Sequence, residues 1–270
     1  RHESLSPARA LARRRLAELE AQAEQVADFA QVEFGFLYDA SRHLLSIGYN
    51  LDERRLDASC YDLLASEARL ASYVAIAQGK LPQETWFAFG RLLTVTKAGA
   101  PVLLSWSGSM FEYLMPNLVM PLYSGSLLER SDAAAVARQI EYGIERGVPW
   151  GISESAYNTV DMHLTYQYRA FGVPGLGLKR GLSEDLVVAP YASVLALTVA
   201  PRAAARNMER LTREGAEGAF GFYEAIDYTP ARLPRGAERA LVRCYMAHHQ
   251  GMSLLAMAHV LLGQPMQRRF

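Results

Sequence analysis

Cysteine is nearly absent: Cys60 and Cys244 are the only two in 270 residues. That excludes a disulfide framework, and neither has the paired spacing of a zinc site, so two free thiols in a reducing compartment are expected. An excess of one charge is also missing. Lys plus Arg number 28 and Asp plus Glu number 28, so no strong field draws the chain to nucleic acid or to an anionic membrane surface. No run of about 20 apolar residues occurs, which excludes a membrane-spanning helix in this stretch. Arg1 to Glu20 carries charges throughout and has no apolar segment of the signal-peptide kind. A chain that opens without Met and stops at Met266-Gln-Arg-Arg-Phe270 reads as cut from something longer.

What is present is apolar. Half the residues are hydrophobic and 21% are charged, which supports a full core and argues against disorder. Ser6 to Val32 reads as a helix with Ser6 as N-cap, Pro7 at the first helical position, and Leu16, Leu19, Ala23, Val26 and Ala30 on one stripe. Further helices are expected over Asp62–Gln78 and over Ser131–Arg146, the latter capped by Ser131 and stopped by Gly147. Asp185–Val199 and Pro201–Glu214 read as a helical hairpin, and Ala237–Leu262 as one long helix or two. Short extended segments interrupt them at Leu44–Gly48, Phe87–Thr96 and Val102–Trp106. About eight to ten helices, no fixed-period repeat and no linker composition suggest one all-α domain, an α/α toroid or solenoid. Residues 1–33 form a helix leading into it and 34–270 the domain itself.

Chemistry gathers in the connections. Four of them pair a carboxylate with aromatic rings: Asp57–Glu67, Leu104–Pro116, Pro149–Asn158 and Gly221–Pro230. Rings beside acids suit carbohydrate, because sugar C–H faces stack on rings while hydroxyls take hydrogen bonds. Glycosidic cleavage needs two carboxyl groups, one protonated and one ionised. Taken singly, Glu67 and Glu112 also read as helix-capping or ion-paired acids, whereas Glu154 sits among Trp150, Gly151, Ser153, Ser155, Tyr157 and Asn158. Other patterns carry less. His248-His249 point about 100° apart on a helix with no matching acid, so no metal site is expected. The glycine-rich Gly172–Gly181 lacks the P-loop pattern, and Ser105, Ser107 and Ser109 form no nucleophile elbow.

The blocks Tyr61-Asp-Leu-Leu-Ala-Ser-Glu-Ala-Arg69, Leu104-Ser-Trp-Ser-Gly-Ser-Met-Phe-Glu-Tyr-Leu-Met-Pro116, Trp150-Gly-Ile-Ser-Glu-Ser-Ala-Tyr-Asn158, Phe171-Gly-Val-Pro-Gly-Leu-Gly-Leu-Lys-Arg180 and Met246-Ala-His-His-Gln-Gly-Met252 closely resemble the glycoamylase-like domain of bacterial cyclic β-1,2-glucan synthases. Stand-alone endo-β-1,2-glucanases carry similar blocks. The resemblance spans roughly Phe34 to Phe270 and implies an (α/α)6 toroid, short of complete here because twelve helices belong to the full ring. It implies a module that closes a β-1,2-glucan chain by transglycosylation, without cofactor or metal. Its partners would be the glycosyltransferase and phosphorylase-like modules of the same polypeptide, on the cytoplasmic side of the inner membrane. A plain endo-β-1,2-glucanase and a non-catalytic glucan-binding module are the alternatives.

Under that resemblance Glu154 and Glu67 are the catalytic pair. In a retaining double displacement Glu154 attacks the anomeric carbon and Glu67 protonates the leaving oxygen; the reverse assignment and an inverting course stay open. Trp106, Trp150, Tyr157 and Tyr223 are candidate sugar platforms. Asp57, Asp62, Glu112, Asn158, Arg180, Glu224 and His249 are candidate hydroxyl contacts. Arg69 is expected to lower the pKa of a neighbouring carboxylate.

Overall fold

Helix ends in the computed structural model, which describes residues 5–270, follow the local chemistry more closely than the apolar stripes. Eight α-helices occur among the described residues: α1 Leu5–Phe29, α2 Ala68–Ala77, α3 Glu84–Ala88, α4 Met110–Leu114, α5 Leu127–Arg146, α6 Pro190–Leu195, α7 Pro201–Arg213 and α8 Ala247–Leu261. The first four residues of the expected 1–33 segment lie outside the described residues. Ser6 and Pro7 fall within α1 and not at its start. The α1 stripe meets no core, since Leu16, Leu19 and Val26 are all exposed.

Several boundaries differ from the sequence expectation. Asp62 to Ser66 is irregular, with a bridge from Leu63 to Gly90 followed by bends, and α2 begins only at Ala68. Ser126 caps α5 by accepting from the Glu129 amide at 3.1 Å, so Ser131 lies inside the helix, where its hydroxyl accepts from the Leu103 amide at 2.8 Å. Gly147, at φ 71°, ends α5 in the left-handed conformation glycine tolerates. The expected Asp185–Val199 helix contracts to α6 and a 3-10 turn, because Val187–Val188 joins a sheet and Pro190 starts the helix afresh. Ala237–Leu262 divides into a strand, Ala240–Val242, and α8. Strands are more numerous than expected: among the described residues there are thirteen, none longer than six residues, in six small sheets.

Three of these elements position the later chemistry. The antiparallel hairpin Ser155–Val160 with Tyr166–Arg169 sets Ala156 opposite Tyr168. A three-stranded sheet orders Ala240–Val242, Ala225–Asp227 and Val187–Val188. Buried α6 packs on α4, α7 and α8. Around them lies the main core, with Leu103, Met110, Leu114, Leu176, Leu195 and Ile226 fully buried. Each such side chain contributes about 1.5–3 kcal/mol. No helix is long and apolar enough to cross a membrane, and no cluster of three His, Cys, Asp or Glu is placed to hold a metal ion, among the described residues.

Candidate functional site

Glu67 stands at the N-terminal end of α2, held there from beneath by Arg69. Arg69 is 1% exposed and donates to the carbonyls of Ser66 (3.2 Å), Glu112 (3.0 Å) and Tyr113 (2.6 Å), tying the start of α2 to α4. Burial raises the Glu67 pKa, the charge of Glu112 adds to this, and Arg69 pulls it partly back. The same guanidinium pulls down buried Asp132, which burial nevertheless lifts to about 6. The expected lowering by Arg69 is thus real and smaller than desolvation.

Glu154 directly precedes the 155–169 hairpin. Its pKa is pushed up to about 7, first by burial and then by the charges of Glu67 and Glu112; the Tyr168 hydroxyl, within hydrogen-bonding reach, lowers it in part. Tyr61 feels both acids, and burial together with the charges of Glu67 and Glu154 raises its own pKa. A cavity of about 290 Å³ opens beside Glu67, lined by Phe34, Leu37, Leu45, Ile47, Tyr61 and Ala68. Two acids with raised proton affinity, close enough that the charge of Glu67 helps raise Glu154, are the arrangement a general acid and its partner need.

Trp106 is the one exposed indole, 49% accessible, and its N–H donates to Asp62 at 2.9 Å. The loop carrying it is built on Glu112. That carboxylate accepts from the amides of Trp106, Ser107 and Ser109, each at 3.0 Å, from the hydroxyls of Ser105 and Ser109 at 2.9 Å, and from the Ser107 hydroxyl. With Ser109 it completes a capping box at α4. Glu112, expected as a hydroxyl contact, is therefore spent on its own loop, which also accounts for the three serines. The glycine-rich segment has a steric reason: a Cβ at Gly172 would lie 1.7 Å from the Ser107 carbonyl oxygen, and one at Gly177 2.5 Å from the Gly108 amide nitrogen.

Other expected residues lie elsewhere. Trp150, 7% exposed, is a core residue whose backbone is held by Asn207 and Ser193, so it offers no sugar platform. The Tyr157 ring meets Phe171 edge-on at 5.6 Å with Arg232 over it at 5.0 Å, and Asn158 donates its side-chain amide to the Arg232 carbonyl at 2.6 Å. Both are taken up in packing, because on this strand their neighbours are protein. Arg180 lines a small surface cavity with Arg169, Gly172 and Asp185, and Asp57 is exposed over Gly48. Tyr223, Glu224 and His249 line a cavity of about 220 Å³. Glu224 and His249 are buried and bonded to each other at 2.9 Å. The structure thus gathers Glu67, Glu154, Trp106 and Asp62, and adds Tyr61, Tyr168 and Tyr191, which sequence reasoning missed. Only the alternation of the 155–169 hairpin carried a signal for Tyr168.

The Glycoamylase family model, described as "Putative glucoamylase", matches residues 59–268. Cyclic beta-(1,2)-glucan synthase NdvB of Rhizobium meliloti (strain 1021) is 50% identical over 259 residues, covering 96% of this chain and 9% of that protein. The chain thus spans under a tenth of that relative. Among solved structures, a putative glucoamylase from Bacteroides fragilis NCTC 9343 matches with TM-score 0.68 at 17% identity, over 93% of this chain and 61% of that one. The endo-beta-1,2-glucanase of Chitinophaga pinensis, in complex with sophorotriose and glucose, matches with TM-score 0.66 at 17% identity, over 92% and 61%. At such identity these two establish a shared fold, and the chain again covers less than two thirds of each.

Proposed function

The chain belongs to the Glycoamylase family, and from that premise we propose that it cleaves and rejoins β-1,2-glucan, using Glu67 and Glu154 as its carboxylate pair. The observation that carries this reading is that pair: a half-buried acid at the α2 terminus and a second acid pushed up to about 7, partly by the first. The proton decides the roles. Near neutrality it resides on Glu154, which favours Glu154 as the acid that protonates the leaving oxygen and Glu67 as the group that attacks the anomeric carbon, the reverse of the first assignment. A retaining course suits rejoining, since a chain-end hydroxyl can replace water on the glycosyl-enzyme. Trp106 supplies a ring for stacking, with Asp62 fixing its plane.

The half-identity to NdvB supports β-1,2-glucan as substrate and cyclisation as outcome. The same proposal takes 34–270 as one catalytic domain following the segment 1–33 that holds α1, with glycosyltransferase and phosphorylase-like neighbours in one polypeptide and a place on the cytoplasmic side of the inner membrane. The eight helices are read as part of an (α/α)6 toroid, consistent with the 61% of each solved relative that the chain covers.

Incubating the full chain with linear β-1,2-glucan and resolving products by mass tests this. Products one water lighter than the linear chain of equal length are expected, formed far more slowly by Glu154→Gln and Glu67→Gln. Only shorter linear chains would transfer the reading to endo-glucanase, and unchanged glucan would leave a binding module. Trp106→Ala is expected to raise KM roughly tenfold with kcat little changed, with Trp106→Phe restoring most of the affinity.

A further inference from the structure

The longest helix among the described residues is the one the core does not use. α1 spans Leu5–Phe29, about 37 Å of helix, and each of residues 7–29 is exposed. Along it Ala12, Leu16, Leu19, Ala23 and Val26 recur at steps of four and three, the spacing that keeps one seam facing a second helix. Leu16, Leu19 and Val26 are each more than half accessible. Helices in water draw most of their stability from a covered apolar face, and the face of α1 is uncovered.

The charges of α1 are sorted by half. Arg9, Arg13, Arg14 and Arg15 occupy the first half, and Glu18, Glu20, Glu24 and Asp28 the second. Within a single helix that order is unfavourable. Asp28 stands in the last turn, where the helix dipole repels an acid, and Arg14 precedes Glu18 in the weaker of the two i,i+4 orders. The two blocks touch only at their junction, through Arg14–Glu18 at 3.7 Å and Arg15–Glu18 at 3.1 Å. Beside the same helix inverted, the order becomes favourable: each basic half faces an acidic half, and the two dipoles oppose.

We propose that α1 is a homodimerisation element, pairing antiparallel with α1 of a second copy about a two-fold axis between Ala17 and Glu18. In that register Leu16 lies against Leu19 of the second copy and Ala12 against Ala23, the small layers letting the helices approach closely. Arg9 lays its aliphatic stem over Val26. Arg13 and Glu20 flank the seam on one side and meet their opposites in two symmetry-related ion pairs. Each domain follows the C-terminal end of its own helix, so the two domains stand at opposite ends of the rod. Parallel pairing would instead set arginines beside arginines, acids beside acids, and one domain against the other. The pairing is independent of the reaction proposed for Glu67 and Glu154.

Sedimentation equilibrium of the full chain tests it. The mass is expected to pass from that of one chain to that of two as concentration rises through about 1–100 µM. Leu16→Glu/Leu19→Glu is expected to keep the mass of one chain. Arg13→Glu and Glu20→Arg each weaken the dimer roughly tenfold, because two attractions become two repulsions. Combined in one chain they restore wild-type association, since the exchanged charges again face each other in an inverted pair. In a parallel pair Glu20→Arg would face Arg15, and the combination would stay weak. Disulfide trapping reads the orientation directly. In a Cys60→Ser/Cys244→Ser background, Ala12→Cys mixed with Ala23→Cys is expected to give the mixed cross-link, and Ala12→Cys alone none. A chain that stays monomeric up to about 1 mM overturns the inference. So does a Leu16→Glu/Leu19→Glu chain that still dimerises, a combined charge variant that fails to recover, or a cross-link from Ala12→Cys alone. The altered α1 positions are all exposed, so the melting of the domain is unchanged in every α1 variant.

Discussion

Glu154→Gln lowers kcat on linear β-1,2-glucan by roughly 10²–10⁴-fold, the loss expected when a general acid is removed from a folded site. The expectation rests on where the proton sits. Burial, reinforced by Glu67 and Glu112, lifts Glu154 to about 7, so the acid form is populated up to neutrality. Because the acid must be protonated to act, wild-type activity falls as pH rises through about 7, and the Gln variant's residual activity lacks that limb. Azide separates the two acids. With an activated aryl glycoside, Glu154→Ala plus azide is expected to give the β-glycosyl azide, since Glu67 still forms the covalent intermediate and a second inversion follows. Glu67→Ala plus azide gives the α-azide by a single displacement. Exchanged anomers would return Glu154 to the nucleophile role, and no azide adduct from either variant would sink the retaining course.

The largest effect on stability is expected away from both acids, at Gly172→Ala. The added Cβ would lie 1.7 Å from the Ser107 carbonyl oxygen and 2.8 Å from the Gly108 carbonyl carbon, so backbone must move. It cannot move freely. The two segments are laced by Ser105 N–H to Leu176 O (3.0 Å), Leu178 N–H to Ser105 O (3.0 Å), Lys179 N–H to Trp106 O (2.9 Å) and Val173 N–H to Gly108 O (3.2 Å). A cost of about 3 kcal/mol follows from overpacking, and a fall in Tm of roughly 10 °C at this chain length. Gly175→Ala is the comparison. Its φ is +90° but nothing lies within 4 Å of the new Cβ, so only backbone strain of about 1–2 kcal/mol is added. Equal melting shifts for the two would refute the steric account.

Legibility in the sequence divides along the range of the interactions. The expected span of α7 was legible because Pro201 starts it and its end lies one residue inside Glu214. The capping box Ser109-Met-Phe-Glu112 was equally present in the sequence, and read as such it would have withdrawn Glu112 from the hydroxyl contacts. Trp150 and Tyr157 misled because composition near an acid does not say which way a side chain faces. Ile152 and Gly151 bond into Gln139 and Ala189, and that pairing turns Trp150 into the core. The 185–199 helix failed for a similar reason: Val187 and Val188 were claimed by a strand partner, Asp227 and Ile226, some 40 residues away in the sequence.

The sequence by itself determined the family-like blocks, the pairing of acids with rings, and the helix limits that depend on a cap or a proline within one turn. Those are short-range effects, complete within a few residues. Tertiary structure alone decided which acids meet. Glu67 from the α2 terminus and Glu154 at the head of the hairpin are 87 positions apart, and Glu224 meets the hairpin through the Ala156 amide, 68 positions away. Proton affinity in such a cluster depends on mutual distance and on exclusion of water, and both come into being only when the chain has packed.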